Sequence, residues 1–477
     1  MANSARKLVF LGAAALAWSA SLPAQTAPGQ PRSTAEAPAP APAPKAAPAP
    51  APSAAPAAAG APAPSFDSVF APMVQPLPGY TDENGNLLPE VQSWALDDAR
   101  ALLSLLRGIG SEGLDPADYQ IEALQAALAE GEGDALNQAA SRSFSWLVED
   151  LRDGRTPMFA RRQWFVVDPD PDLMPTVKVM YEALKSHDVA GVVAKLAPNH
   201  PDYAALKQAL AETPASEKKR IALIRANMDR WRWLARDFGP QYLMTNVPEY
   251  QLRLTVNHKI IRTYRTIVGK PGRTATPQLA EIVEGVVFNP TWTVPQSIVK
   301  GEGLGQRVLN NPGWARNAGY KATRGANGYI SVVQQPGPTN SLGVVKLDMP
   351  NEHAIFLHDT PNKALFNTEN RAYSHGCIRT ERALELGITL AILGGMPKEE
   401  AVAVSVSGEY NKVPIGKTMP VYITYFTMGQ DINGELTTFN DIYGRDAPVL
   451  ASFEQPRVAD RARKTSEEVV PIEAPGA

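Results

Sequence analysis

Tyr250-Gln-Leu-Arg-Leu-Thr-Val256-Asn257-His258-Lys-Ile260-Ile-Arg-Thr-Tyr-Arg-Thr-Ile-Val268 is the stretch where the chain changes its period. Tyr250 to Val256 alternates apolar and polar residues, and Ile260 to Val268 does much the same, as strands with one buried face do. Asn257-His258 between them reads as a hairpin turn. Just upstream the period is helical: Lys219 to Phe238 places Ile221, Ile224, Met228, Trp231 and Leu234 on one face. The chain therefore passes from helices to strands after Phe238.

Working toward the N-terminus, the helical pattern holds over Asp97–Leu106, Ile121–Leu128, Ala139–Leu151 and Pro198–Leu210. Asp115-Pro116 supplies an N-cap and a first-turn proline, and Asp153-Gly154-Arg155 closes a helix. His187 and His200 stand among polar neighbours and read as surface residues. Working toward the C-terminus, short strands are expected at Ala280–Phe288, Val344–Met349, Ala354–Leu357, Val402–Val406 and Pro420–Thr427, with a turn at Asp431-Ile-Asn-Gly434. The fold class that follows is α+β and multidomain. A mostly helical domain over 65–219 precedes a β-rich domain with few helices over 220–452, and a polar, disordered tail runs over 453–477.

Composition narrows the function. The chain has 477 residues, 44% of them apolar, and a net charge of -3, so nothing suggests nucleic-acid binding. Residues 1–24 read as a secretory signal, with Arg6 and Lys7 ahead of the apolar run Leu8–Ala17 and cleavage after Ala24. An uncleaved anchor is the alternative, although the run is short for a bilayer. No later stretch is long and apolar enough to span. Residues 25–64, nearly all Ala and Pro from Pro31 to Pro64, read as a disordered, extended linker, acting as a tether or as a passive tail. The chain has one cysteine. In an exported protein that suggests intermolecular pairing, a reactive thiol or a small buried hydrophobe.

Its surroundings favour reactivity. Ala354-Ile-Phe-Leu-His358-Asp359-Thr360 ends a short apolar strand at a histidine. After a gap of fifteen residues comes Ser374-His375-Gly376-Cys377-Ile378-Arg379, followed by an expected helix Thr380–Leu393 capped by Thr380. A helix N-terminus or an imidazole lowers a thiol's pKa. A nearby histidine can take the thiol proton and return it to a leaving amine. Gly376 frees the backbone so that N–H groups can meet an oxyanion, and Arg379 offers a fork for a carboxylate. A cysteine beside two histidines also suits zinc, but no CxxC or HExxH spacing supports a metal, and no cofactor is implied. His375 reads as a residue whose backbone matters more than its ring, His353 as solvent-facing and His258 as a turn residue.

This pattern resembles the L,D-transpeptidase family with its YkuD-type catalytic domain, whose signature is a histidine, a gap, and Ser/Thr-His-Gly-Cys with a polar residue two beyond. Asn227-Met-Asp-Arg-Trp231-Arg-Trp233, Asn289-Pro-Thr-Trp292-Thr-Val-Pro295, Gln335-Pro-Gly-Pro-Thr-Asn340-Ser-Leu-Gly343 and Gly113-Leu-Asp-Pro-Ala-Asp-Tyr119 resemble the long, scaffold-containing Gram-negative form. The resemblance covers roughly Ser65 to Ala451. It implies that Cys377 is the nucleophile and His358 its base, and that backbone N–H groups around His375, Gly376 and Cys377 form an oxyanion hole. Ser374 shapes that loop and Arg379 binds a substrate carboxylate.

The segment of about 301–335, with Trp314 and Tyr329, takes the place of a capping loop that contacts substrate, or else is ordinary packing. The implied reaction is acyl transfer from a tetrapeptide stem of peptidoglycan to an amine in the periplasm, giving 3–3 cross-links, with carbapenems acylating the same cysteine. Hydrolysis, D-amino-acid exchange and lipoprotein attachment use the same nucleophile, and a non-catalytic peptidoglycan-binding protein is the alternative of a different class. The inserted peptidoglycan-binding module that the long form often carries has no room before Asn227.

Overall fold

A computed structural model describes residues 79–459 and 461–469. The expected signal, the whole of the expected linker and the last residues of the expected tail, 470–477, lie outside them. No helix among the described residues is long and apolar enough to cross a membrane.

The chain folds as helices first and sheet second. The helices are α1 (Leu96–Gly108), α2 (Ile121–Glu130), α3 (Asp134–Asp153), α4 (Thr176–Ser186), α5 (Val189–Ala194), α6 (Pro201–Glu212) and α7 (Lys218–Trp231). On α3, Leu136, Ala140, Phe144, Leu147 and Leu151 fall at helical spacing and are all buried in one cluster with Leu102 and Leu106 of α1. Gly154, at φ 86°, ends α3. The Asp115 side chain accepts from the Ala117 N–H at 3.0 Å, and the turn it caps is a short 3-10 helix, Pro116–Tyr119.

The large sheet is built from β1 (Gln241–Asn246), β2 (Gln251–Val256), β3 (Lys259–Gly269), β4 (Leu279–Ile282) and β5 (Gly285–Phe288). After them β6 (Trp292–Thr293), β7 (Tyr320–Arg324) and β8 (Ile330–Gln334) form a separate three-stranded sheet. The large sheet resumes with β9 (Val345–Asp348), β10 (Leu357–His358), β11 (Ala372–Ser374), β12 (Ile378–Thr380), β13 (Asn411–Pro414) and β14 (Pro420–Thr424). A last hairpin pairs β15 (Met428–Gln430) with β16 (Leu436–Thr438) around the Asp431–Gly434 turn. The eleven strands run β13-β5-β9-β10-β12-β3-β2-β1-β14-β4, with β11 beside β3. Asn257 and His258 both take positive φ, 50° and 61°, at the tip of the β2–β3 hairpin, the conformation that matches strand twist.

Helices and sheet share a core. Trp231 and Leu206 pack with Tyr242, Phe426 and Val449. The tail departs from its expected disorder. Arg457, buried, and Arg461 reach back to Asp150 of α3 (2.7 Å from Arg461), and Tyr119 donates to the same carboxylate at 3.0 Å. Arg463 pairs with Asp172 at 2.9 Å. A charged tail is held when a buried carboxylate needs partners. Asp150→Asn should therefore cost roughly 3–5 kcal/mol, read as a shifted urea midpoint.

Other departures have local causes. Val402–Val406 is the end of a helix (Lys398–Val406), not a strand. Glu399 and Glu400 suit its first turn, and the buried residues Ala401 and Ser405 are four apart. The helix after Cys377 begins at Ala383. Thr380 ends β12, and Arg382, at φ 50°, makes the break. Ala280–Phe288 divides at Val283-Glu284 into two strands. Ala354 lies outside any strand, at φ 52°. His353 is buried against Phe165, ring centroids 4.1 Å apart, rather than solvent-facing. His200 stacks on Trp231 rather than standing in solvent.

Candidate active site

The site grows from two adjacent strands. β10 and β12 run parallel, with Leu357 opposite Ile378 and His358 opposite Arg379. Cys377 precedes Ile378, whose N–H donates to the Phe356 carbonyl at 3.0 Å. Side chains alternate along a strand, so Cys377 and Arg379 share a face, and register puts His358 on it too. All three line one cleft of about 300 Å³.

The turn before Cys377 is tied down from inside. Ser374 Oγ donates to the Cys377 carbonyl at 2.6 Å and accepts from the Gly376 N–H at 3.1 Å. Gly376 sits at φ 122°, where a side chain is strained. The Gly376 N–H is thus spent on Ser374, a change from its expected place among the oxyanion donors. Behind the turn, Thr276 Oγ1 donates to the Gly376 carbonyl at 2.7 Å and accepts from the Gly269 N–H at 2.9 Å. Tyr443 braces the same loop, donating to the Gly269 carbonyl at 2.6 Å. Thr276→Val keeps the shape and removes both bonds at a buried position. It should lower stability by about 1–3 kcal/mol, measured by equilibrium unfolding.

His358 Nδ1 lies 2.5 Å from the Asp359 carbonyl. A carbonyl only accepts, so Nδ1 carries the proton and Nε2 keeps its lone pair. Burial, aided by the positive charge of Arg379, pushes the His358 pKa down to about 3. The ring is therefore a neutral acceptor at ordinary pH. Cys377 Sγ is 3.6 Å from the Ala354 carbonyl. Arg379 has its own pKa lowered by burial, while a charge on Cys377 acts to raise it. The Arg379 Nε is buried with no hydrogen-bond partner among the described residues.

The roof is the segment expected as a capping loop. It comprises three short helices, Gln296–Gly301, Leu304–Asn310 and Pro312–Asn317, on the three-stranded sheet, with a core of Val294, Val299, Val308, Ala315 and Val332. Ile298, Glu302, Arg307 and Tyr320 from this cap face the cleft. Trp314 and Tyr329 are not among the cleft's lining residues. Trp314 stands behind, stacked on Tyr320 with Arg307 4.0 Å from its ring centroid. Glu302 bridges to His375 Nε2 at 2.9 Å and joins cap to floor, so the His375 ring has a partner as well as its backbone. Glu302, Arg307, Tyr320 and Thr276 were not singled out in the sequence. Gly301-Glu302-Gly303 signals a loop, but nothing local names its partner. Among the described residues no group of three or more His, Cys, Asp or Glu is placed to hold a metal ion.

A thiol, a neutral imidazole and a guanidinium lining one cleft under a cap are the kinds of group that acyl transfer uses. Comparison with known proteins agrees in class. Residues 240–390 match the family described as YkuD, L,D-transpeptidase catalytic domain, and residues 92–210 match the one described as Scaffold domain. One stretch of the chain is thus similar to an L,D-transpeptidase catalytic domain, and an earlier stretch to a Scaffold domain. It is 27% identical over 309 residues to a Haemophilus influenzae protein named "Putative L,D-transpeptidase", which takes in 61% of this chain and 62% of that protein. Two solved structures also align. The L,D-transpeptidase from Mycobacterium smegmatis covers 39% of this chain and 58% of its own, at 13% identity and TM-score 0.21. LD transpeptidase LdtMt1 in complex with imipenem covers 39% and 59%, at 14% identity and TM-score 0.19. Likeness at that level says nothing of what this chain acts on.

Proposed function

We propose that this chain is a periplasmic peptidoglycan L,D-transpeptidase that forms 3–3 cross-links with Cys377 as nucleophile. The observation that carries the reading is the shared face of β10 and β12, which gathers Cys377, His358 and Arg379 beneath the cap. His358 Nε2 takes the thiol proton as Sγ attacks the carbonyl of the third residue of a tetrapeptide stem. Because the imidazole is neutral and buried, proton transfer and attack proceed together rather than from a standing ion pair. The backbone N–H groups of His375 and Cys377 receive the oxyanion. The carbon–nitrogen bond breaks, His358 returns the proton to the amine, and D-Ala leaves. The amine of a second stem then attacks the thioester, loses its proton to His358 and regenerates the thiol. Arg379, whose buried Nε has no hydrogen-bond partner among the described residues, suits a stem carboxylate. A strained β-lactam carbonyl mimics the scissile amide, so carbapenems acylate the same sulfur.

The test is incubation with a disaccharide tetrapeptide, followed by product masses. Released D-Ala with a dimeric muropeptide supports transpeptidation. Released D-Ala with tripeptide alone makes water the acceptor. Neither product from folded protein leaves a binding protein and sinks the proposal.

A further inference from the structure

A second cavity, of about 950 Å³, shares no lining residue with the Cys377 cleft. Its walls are the start of α6, the Arg236–Gly239 link, the tip of the β2–β3 hairpin and the turn between β15 and β16. Three of the exposed large apolar side chains, Ile260, Ile261 and Ile432, stand on it, the last 52% exposed. Exposed aliphatics gathered at one cleft mark a binding surface. Phe238 and Tyr242 add ring faces.

The polar groups of this cleft are set as a donor beside an acceptor. The His200 ring lies on Trp231, centroids 4.1 Å apart at 19°. Its Nδ1 accepts from the Asp202 N–H at 3.2 Å, so the proton of the neutral ring is on Nε2. Burial keeps that ring neutral by holding its pKa near 4. The Asp202 carboxylate accepts no hydrogen bond among the described residues. The nearby Arg253 is already committed to Glu249, at 2.6 and 2.7 Å, and to the Gln430 carbonyl at 2.9 Å. Burial raises the Asp202 pKa to about 6, the mark of a carboxylate lacking donors.

Charge narrows the ligand. Four arginines (Arg236, Arg253, Arg262, Arg382) alternate with three aspartates (Asp202, Asp237, Asp431) around the walls. A polyanion would meet the aspartates and a polycation the arginines, so the mixture fits a neutral ligand that both donates and accepts. Sugar hydroxyls and acetamido groups do so, and the C–H faces of the rings pack on aromatic and aliphatic side chains. The volume lies within the ~300–1,000 Å³ of small-ligand clefts.

We propose that this cleft binds glycan, a strand of N-acetylated amino sugars, with Asp202 and His200 meeting one sugar's polar groups and Ile260, Ile261 and Ile432 its apolar edge. The choice of glycan rests on the peptidoglycan reading of the Cys377 site. It gives the chain a hold on the polymer apart from the stem peptide that enters the thiol cleft.

The test uses the full chain and two probes: glycan strands stripped of their stem peptides, and free tetrapeptide. Wild type should co-sediment with stripped glycan. Asp202→Ala and Ile432→Ala should each weaken that binding at least tenfold, with circular dichroism and tetrapeptide turnover unchanged. Ile432 is exposed, so its truncation leaves the core intact. No binding of wild type to stripped glycan, or wild-type binding by both variants, overturns the proposal. Binding of tetrapeptide that these variants weaken also overturns it, because the cleft is then a peptide site. Glycan binding that depends on both residues supports it even where wild type releases no D-Ala, a result that counts against the Cys377 reading alone.

Discussion

Cys377→Ala is expected to abolish both D-Ala release and cross-linking, with a fall in kcat of at least about 10⁴-fold, on the scale seen when a nucleophile is removed. The fold should survive. The Cys377 side chain is half-buried, and the turn around it is held by Ser374, Thr276 and Tyr443 through bonds that do not involve sulfur. Unfolding midpoints within error of wild type, together with lost turnover, check the prediction. A variant that keeps a tenth of wild-type activity would remove the thiol from the chemistry.

His358→Gln is the second large effect. Glutamine nearly fills the ring's place but cannot accept the thiol proton, so kcat should fall about 10²–10⁴-fold with a much smaller change in KM. The pH dependence is specific. The folded imidazole titrates near 3 and the unfolded one near 6.5. Between those values the unfolded chain binds the additional proton, so stability rises with pH across that window and is lost as pH falls from about 6.5 toward 3. His200, held near 4, adds in the same direction. His358→Gln should flatten this slope by up to one proton, measured as unfolding free energy against pH. In turnover, the free enzyme should show no acid limb near 6.5 from this group.

Much of this was legible because it was local. The β2–β3 hairpin follows from alternation on either side of Asn257-His258. The key side chains come from two short stretches, His358 and Ser374–Arg379, whose spacing is written in the chain. What could not be read is pairing across distance. Nothing near Val402 says that Ala401 and Ser405 will pack as a helix face, since Ala-Val-Ala-Val-Ser-Val also alternates as a strand does. His353 looked polar and exposed, but its ring is covered by Phe165, far off in sequence. The tail's arginines looked like a solvated charge run until Asp150, a buried carboxylate some three hundred residues earlier, required them. The Glu302 link to His375 and the Thr276 brace are likewise contacts between segments that only the fold brings together.

The central claim, that Cys377 forms an acyl-enzyme with His358 as its base, is tested most directly by intact-protein mass spectrometry after incubation with meropenem. β-Lactam ring opening adds the whole molecule to sulfur. Wild type should therefore gain one meropenem mass, mapped by peptide digestion to the segment holding Cys377. His358→Gln should gain it far more slowly and Cys377→Ala not at all. An adduct of equal yield on Cys377→Ala, or no adduct on folded wild type, would contradict the account.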